Sequence, residues 1–121
     1  MQGIGVDIVE IARIEGILSS KGSAFTKRIF TLEEIKYCLQ SEKLAPSRFA
    51  ARFAGKEAVA KALGVGIGKK LGWQDITISM NPQGKPEVKL SEKAGKAFGS
   101  PKILISLSHE KSYAVATAIA F

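Results

Sequence analysis

The sequence predicts an α+β fold: one small domain over residues 1–121, with a mainly antiparallel sheet packed against a long central helix. Three observations carry this. Segments at both ends of the chain alternate with a period of two. Two further strand-like runs flank a Pro- and Gly-containing turn. Between these regions lies one long helical run over residues 46–63.

The elements follow in order. Residues 2–9 alternate, with Ile4, Val6 and Ile8 on one side and Gly5, Asp7 and Val9 on the other, which describes a strand with a roomy second face. Residues 10–20 read as a helix, with Ile11, Ile14, Ile17 and Leu18 on one stripe and Arg13 off it. Gly22-Ser23 breaks that helix. Thr31 is a good N-cap for the next, and Glu34, three residues on, completes a capping box. Pro46-Ser47 opens the long helix, which runs to Leu63, and Gly64 stops it. Strands are expected at 74–80 and 86–90, joined by Asn81-Pro82-Gln83-Gly84-Lys85. Ser91 caps a short helix ending near Gly99. Runs 102–108 and 112–120 form a final apolar pair around His109-Glu110-Lys111. In the last strand Ala114, Ala116, Ala118 and Ala120 share one face, which lets another element, expected to be the long helix, approach closely.

Composition narrows the function classes. Hydrophobic content of 45% and charged content of 24% suit a soluble globular domain, and no apolar run is long enough for a membrane span. The first residues read straight into a strand without the pattern of a signal peptide, so the cytoplasm is the expected compartment. The single Cys38 has no internal disulfide partner and is expected to be a small buried thiol. A net charge of +7 should attract an acidic partner. With 7% aromatics there is no base-stacking strand, and no basic recognition helix follows a turn.

Two carboxylates stand where folding alone prefers a hydrophobe. Asp7 sits mid-strand, and Glu57 sits in the apolar helix Arg52-Phe53-Ala54-Gly55-Lys56-Glu57-Ala58. A buried charge is costly unless a partner or a metal compensates it. With lysines nearby, two such carboxylates suggest a hard-cation site that handles phosphate. Taken alone, Glu57 and Lys61 are an ordinary i, i+4 pair. Asp7 reads equally as a metal ligand or as the buried partner of an arginine. Arg48, Arg52 and Lys56 make a separate stripe at i, i+4, i+8. The Gly64-to-Gly68 run follows a helix rather than a strand, so it reads as a helix end and loop. His109 is expected to be exposed at a hairpin tip.

Together these segments resemble the holo-acyl-carrier-protein synthases, short bacterial 4′-phosphopantetheinyl transferases. The resemblance rests on Gly3-Ile4-Gly5-Val6-Asp7-Ile8-Val9-Glu10 with Arg13-Ile14, and on Arg52 to Ala58 with Lys61-Ala62-Leu63-Gly64. Gly66-Ile67-Gly68, Trp73-Gln74-Asp75-Ile76, Gly84-Lys85-Pro86 and Ser106-Leu107-Ser108-His109 support it. It implies the 4′-phosphopantetheinyl transferase fold and transfer of phosphopantetheine from coenzyme A to a serine of apo-acyl carrier protein. The reaction releases 3′,5′-ADP, requires Mg²⁺ and serves fatty acid biosynthesis. The family assembles as a homotrimer with its sites at subunit interfaces.

By the same resemblance Asp7 and Glu57 are the metal ligands, and Lys61 is catalytic and sits against the phosphates. Asp7, Glu57 and a metal-bound water all remain candidates for the base. Coenzyme A falls to Lys43, Arg52 and His109, with Gly84, Lys85 and Pro86 around the adenine. Leu44 stands where members often carry a second basic residue, so the 3′-phosphate grip is either looser or completed by Arg48. The acidic carrier protein docks on Arg13, with Ile17 as an apolar contact and Lys21, Lys27 and Arg28 nearby. A basic nucleic-acid-binding module is the competing class; it explains the charge but not Asp7 and Glu57. An inert scaffold of the same family is argued against by intact Asp7, Glu57 and Lys61.

Overall fold

A computed structural model describes residues 2–121. The elements run β1 (Gly3–Glu10), α1 (Ile11–Lys21), α2 (Ser23–Ile29), α3 (Leu32–Cys38), α4 (Ala45–Ala62), β2 (Ile76–Met80), β3 (Pro86–Leu90), α5 (Glu92–Ala97), β4 (Ile103–His109) and β5 (Tyr113–Ala120). The predicted strands and the long helix are all present, and the α+β architecture expected for the chain is the one observed. The α2 helix was not expected: the Gly22 break, at φ +53°, introduces another short helix before Phe30. At the start of the first predicted strand of the hairpin, Trp73–Asp75 form a 3₁₀ turn instead.

The β5 strand lies between β1 and β4, all antiparallel, while β2 and β3 form a separate hairpin. The α4 helix crosses one face of the larger sheet. There the register aligns Gly5 with Ala118 and Ile105, and Asp7 with Ala116 and Leu107. Ala114, Ala116, Ala118 and Ala120 are fully buried under α4 together with Ala50, Ala54 and Ala58, as the small-residue face predicted. The roomy side of β1 is therefore the packed side. A Cβ added at Gly5 would stand 2.8 Å from Ala62 N and from Lys61 Cβ, and closer still to the Ala58 carbonyl oxygen. The outward side carries the large residues: Ile4, Val6 and Ile8 are 60%, 56% and 60% exposed.

On its other flank α4 meets α1, α2 and α3 through Ile14, Ile29, Phe30 and Phe49, with the Phe30 and Phe49 rings 4.8 Å apart. The predicted capping box at α3 is formed, Thr31 Oγ1 accepting from Glu34 N and Glu34 Oε1 accepting from Thr31 N. Cys38 is buried, and burial pushes its thiol up to about 12 against the pull of Arg52. Gly64, at φ +78°, ends α4 as its position suggested.

Candidate active site

Asp7 reaches the site because β1 is a twisted strand whose alternate residues face α4. Glu57 and Lys61 reach it because they lie one turn apart on the flank of α4 nearest β1. Lys61 Nζ donates to Asp7 Oδ1 at 3.2 Å and to the Val6 carbonyl at 2.8 Å. Lys61 is 51% exposed and Asp7 19%, so the pair opens to solvent. Glu57 is half-buried. Its carboxyl is held above the ordinary glutamate range, first by burial and then by the charge of Asp7, with Lys61 pulling the other way. Two carboxylates whose charges oppose each other, with hard oxygen donors only, suit a hard divalent cation that keeps several waters. Among the described residues no three His, Cys, Asp or Glu gather, so any cation here relies on this pair and on substrate oxygens.

The basic residues lie elsewhere on α4. Arg52 precedes Glu57 by five positions, which turns it roughly 140° around the helix. With Tyr37, Ser47, Arg48, Met80, Leu107 and His109 it lines a cavity of about 340 Å³. Lys43 lies in an adjoining cavity that shares His109, which is exposed at the end of β4 as expected. Lys85 and Pro86 line a third hollow, against Lys102–Ile105. Met80, the cross-strand partner of Pro86, belongs to the His109 cavity, so the hairpin stands between the two. Asp7 and His109 occupy opposite edge strands with α4 above them. One chain therefore gathers Asp7, Glu57 and Lys61 on one side and Lys43, Arg52 and His109 on the other. Arg13, Lys21, Lys27 and Arg28 are exposed on α1 and α2, and Ile17 is half-buried between them.

The basic stripe of α4 is real but turns inward. Lys56 is completely buried, pairing with Glu34 Oε1 at 2.7 Å and donating to the carbonyls of Ile29 and Trp73, both at 2.9 Å. Burial lowers its proton affinity while Glu34 opposes that shift. Glu34 Oε2 in turn accepts from Ile78 N at 2.7 Å. Spacing alone did not show this hub. The available signal was a lysine amid small apolar residues on a helix that must be covered on nearly all sides.

Taken together, a carboxylate pair beside a lysine, a long alanine-rich helix on an antiparallel sheet and a basic cavity define a class. The chain belongs to the 4′-phosphopantetheinyl transferase superfamily, which it matches over residues 3–118. A Chlamydia felis holo-[acyl-carrier-protein] synthase is 50% identical over 120 residues, 99% of this chain and 97% of that one. The crystal structure of the Helicobacter pylori holo-[acyl-carrier-protein] synthase in complex with coenzyme A superposes with a TM-score of 0.89. It is 39% identical and covers 98% of this chain and 99% of its own. A Bacillus anthracis synthase, in complex with coenzyme A (3′,5′-ADP), gives 0.85 at 35% identity, covering 98% and 95%. Within the superfamily the chain falls among these synthases, and it is an enzyme.

Proposed function

We propose that this enzyme transfers the 4′-phosphopantetheine group of coenzyme A to a serine of an apo-acyl carrier protein in fatty acid biosynthesis, with Mg²⁺, in the cytoplasm. The observation that carries the reading is the Asp7–Glu57 pair, kept beside Lys61 by a strand whose glycines let it press onto α4. The donor set fits a hard cation, and Asp7 and Glu57 would hold it. Bound there, Mg²⁺ supplies charge compensation for the pyrophosphate. The serine oxygen attacks the β-phosphorus in line, and 3′,5′-ADP leaves as the bond to the bridging oxygen breaks. The serine proton passes to a carboxylate of Asp7 or Glu57 or to solvent. Lys61 has one N–H left after its bonds to Val6 and Asp7, and its exposure lets that proton meet a phosphate oxygen. Lys43, Arg52 and His109 bind coenzyme A, with Gly84, Lys85 and Pro86 beside the adenine.

The carrier protein docks on Arg13, Ile17, Lys21, Lys27 and Arg28, a basic surface suited to an acidic partner. No helix among the described residues is long and apolar enough to cross a membrane. The working form is a homotrimer. The support is the outward face of the larger sheet, where Ile4 aligns with Ile119 and Leu104, and Ile8 with Val115. Such an apolar face calls for a partner surface. A neighbouring copy also supplies a way to bring one chain's Asp7 and Glu57 to another's Arg52 and His109.

The test is the intact mass of apo-acyl carrier protein after incubation with coenzyme A, with Mg²⁺ or with chelator. A phosphopantetheine-sized gain only with metal is expected. No gain from folded protein refutes the transfer, and equal gain under chelator refutes the metal dependence.

A further inference from the structure

The α2 helix is held from behind at its C-terminal end. It has seven residues and no side-chain cap at Gly22, and so short a helix does not persist on its own hydrogen bonds. Its last four carbonyls need partners outside the regular ladder. The Thr26 carbonyl accepts from Phe30 N at 2.8 Å, and the Ile29 carbonyl from Lys56 Nζ at 2.9 Å. The other two belong to Lys27 and Arg28, and both face Gln74. Gln74 Nε2 donates to the Lys27 carbonyl at 2.8 Å and to the Phe30 carbonyl at 2.7 Å, with the Arg28 carbonyl at 3.5 Å. Carbonyls only accept, so the amide nitrogen is required there.

Gln74 itself has a firm footing in the 3₁₀ turn Trp73–Asp75. Asp75 Oδ2 accepts from Gly72 N at 2.8 Å, and Asp75 Oδ1 accepts from Ser91 Oγ at 2.7 Å. The Trp73 ring packs on Phe53 with centroids 5.0 Å apart. Lys56 thus fastens the end of α2 from inside the core, and Gln74 fastens it from the exposed side.

Lys27 and Arg28 point their charges outward. Both are exposed, and the ion pairs among the described residues give neither of them an acid. The residues that offer charge to a partner are therefore those whose backbone Gln74 grips. Charge complementarity with an acidic partner depends on where those charges stand. A surface in place only part of the time binds more weakly in proportion to that fraction.

We propose that Gln74 is a positioning residue for the carrier protein: it locks the end of α2 so that Lys27 and Arg28 are in place before the acidic partner arrives. The proposal rests on the reading of α2 as part of the docking surface. Gln74 acts through α2 rather than on the substrate.

The experiment measures kcat and the KM for apo-acyl carrier protein and for coenzyme A in four proteins. These are wild type, Gln74→Met, Lys27→Ser with Arg28→Ser, and the combination of all three substitutions. Gln74→Met should raise the carrier-protein KM about fivefold, the factor by which the docked fraction of α2 falls, with kcat and the coenzyme A KM little changed. Backbone amides of α2 should exchange faster with solvent, while Tm moves little because Gln74 is exposed. Once the charges of Lys27 and Arg28 are removed, adding Gln74→Met should raise the KM no further. An unchanged carrier-protein KM in Gln74→Met, with a raised one in the Lys27 and Arg28 variant, overturns the role of Gln74 alone. An equal rise with and without the two charges also overturns it, since the glutamine then does not act through them. An unchanged KM in the Lys27 and Arg28 variant overturns the docking reading of α2 together with the proposal, and absence of transfer by wild type overturns the transferase reading itself.

Discussion

Replacing Gly5 by alanine tests whether close packing of β1 on α4 is what builds the acidic half of the site. The added Cβ would lie 2.8 Å from Ala62 N and Lys61 Cβ, where ordinary contact begins at 3.4 Å, and nearer still to the Ala58 carbonyl. All but one of these neighbours are backbone and have no rotamer to change, so strand and helix must separate by at least 0.6 Å. Overpacking of this kind costs about 1–3 kcal/mol. Alanine recovers roughly 0.5–1 kcal/mol by restricting the unfolded chain. A net loss of about 1–2 kcal/mol should lower Tm by roughly 4–10 °C for a domain of this size. Displacing Asp7, two residues along, from Glu57 should cost more in rate than in stability, since a misplacement near 1 Å can cost about 10²-fold. Gly95→Ala in α5 is the control: nothing lies within 4 Å of its added Cβ, and it should be neutral or stabilising. The assays are thermal unfolding and carrier-protein modification. Wild-type Tm and rate in Gly5→Ala would refute the argument that contact at Gly5 positions Asp7.

Glu57 holds its proton more tightly folded than unfolded, so its contribution to stability is full below the ordinary glutamate value and is lost as pH rises through the raised one. Glu57→Gln should therefore raise the Tm of metal-free protein at neutral pH while abolishing turnover; a lower Tm there contradicts the assignment. In wild type, Mg²⁺ affinity measured by calorimetry should fall with acidification at a higher pH than for an ordinary glutamate, because metal and proton compete; affinity flat across that range refutes this. Lys56→Met strands the buried Glu34 carboxylate and should cost about 3–5 kcal/mol in urea unfolding. Adding Glu34→Gln should recover part of it, whereas a single-variant cost under about 1 kcal/mol would show that the pair is not isolated from water. Arg13→Glu should raise the apparent KM for carrier protein roughly tenfold and leave that for coenzyme A unchanged. An unchanged carrier-protein value removes Arg13 from the docking surface.

Much of the fold was legible because period and composition agree. The alanine face of β5, the capping box at Thr31 and the stop at Gly64 each record a local rule, and each is found in place. The α2 helix was missed because seven residues carry too little periodicity to stand out from the Gly22 break. Asp7, Glu57 and Lys61 were legible as a group because charges in apolar segments violate the local pattern. The cation stripe on α4 was legible as a stripe, but its meaning was not. Arg48 and Arg52 share the Tyr37 ring and Lys56 meets Glu34, and neither aromatic nor acid is near in sequence.

The sequence by itself determined the strands and the long helix, the small-residue face that β5 offers to α4, and the identity of the misplaced carboxylates, since each of these is a pattern among neighbours a few residues apart. Tertiary structure decided which face of β1 is inside. Alternation marks two faces but does not say which one the helix covers, and here close backbone approach selected the glycine side and left Ile4, Val6 and Ile8 outside. It also decided that the acid pair and the arginine cavity lie on different sides of α4. That separation follows from how an 18-residue helix is rotated against its neighbours, and the buried contacts of Lys56 with Glu34, Ile29 and Trp73 across the core set that rotation.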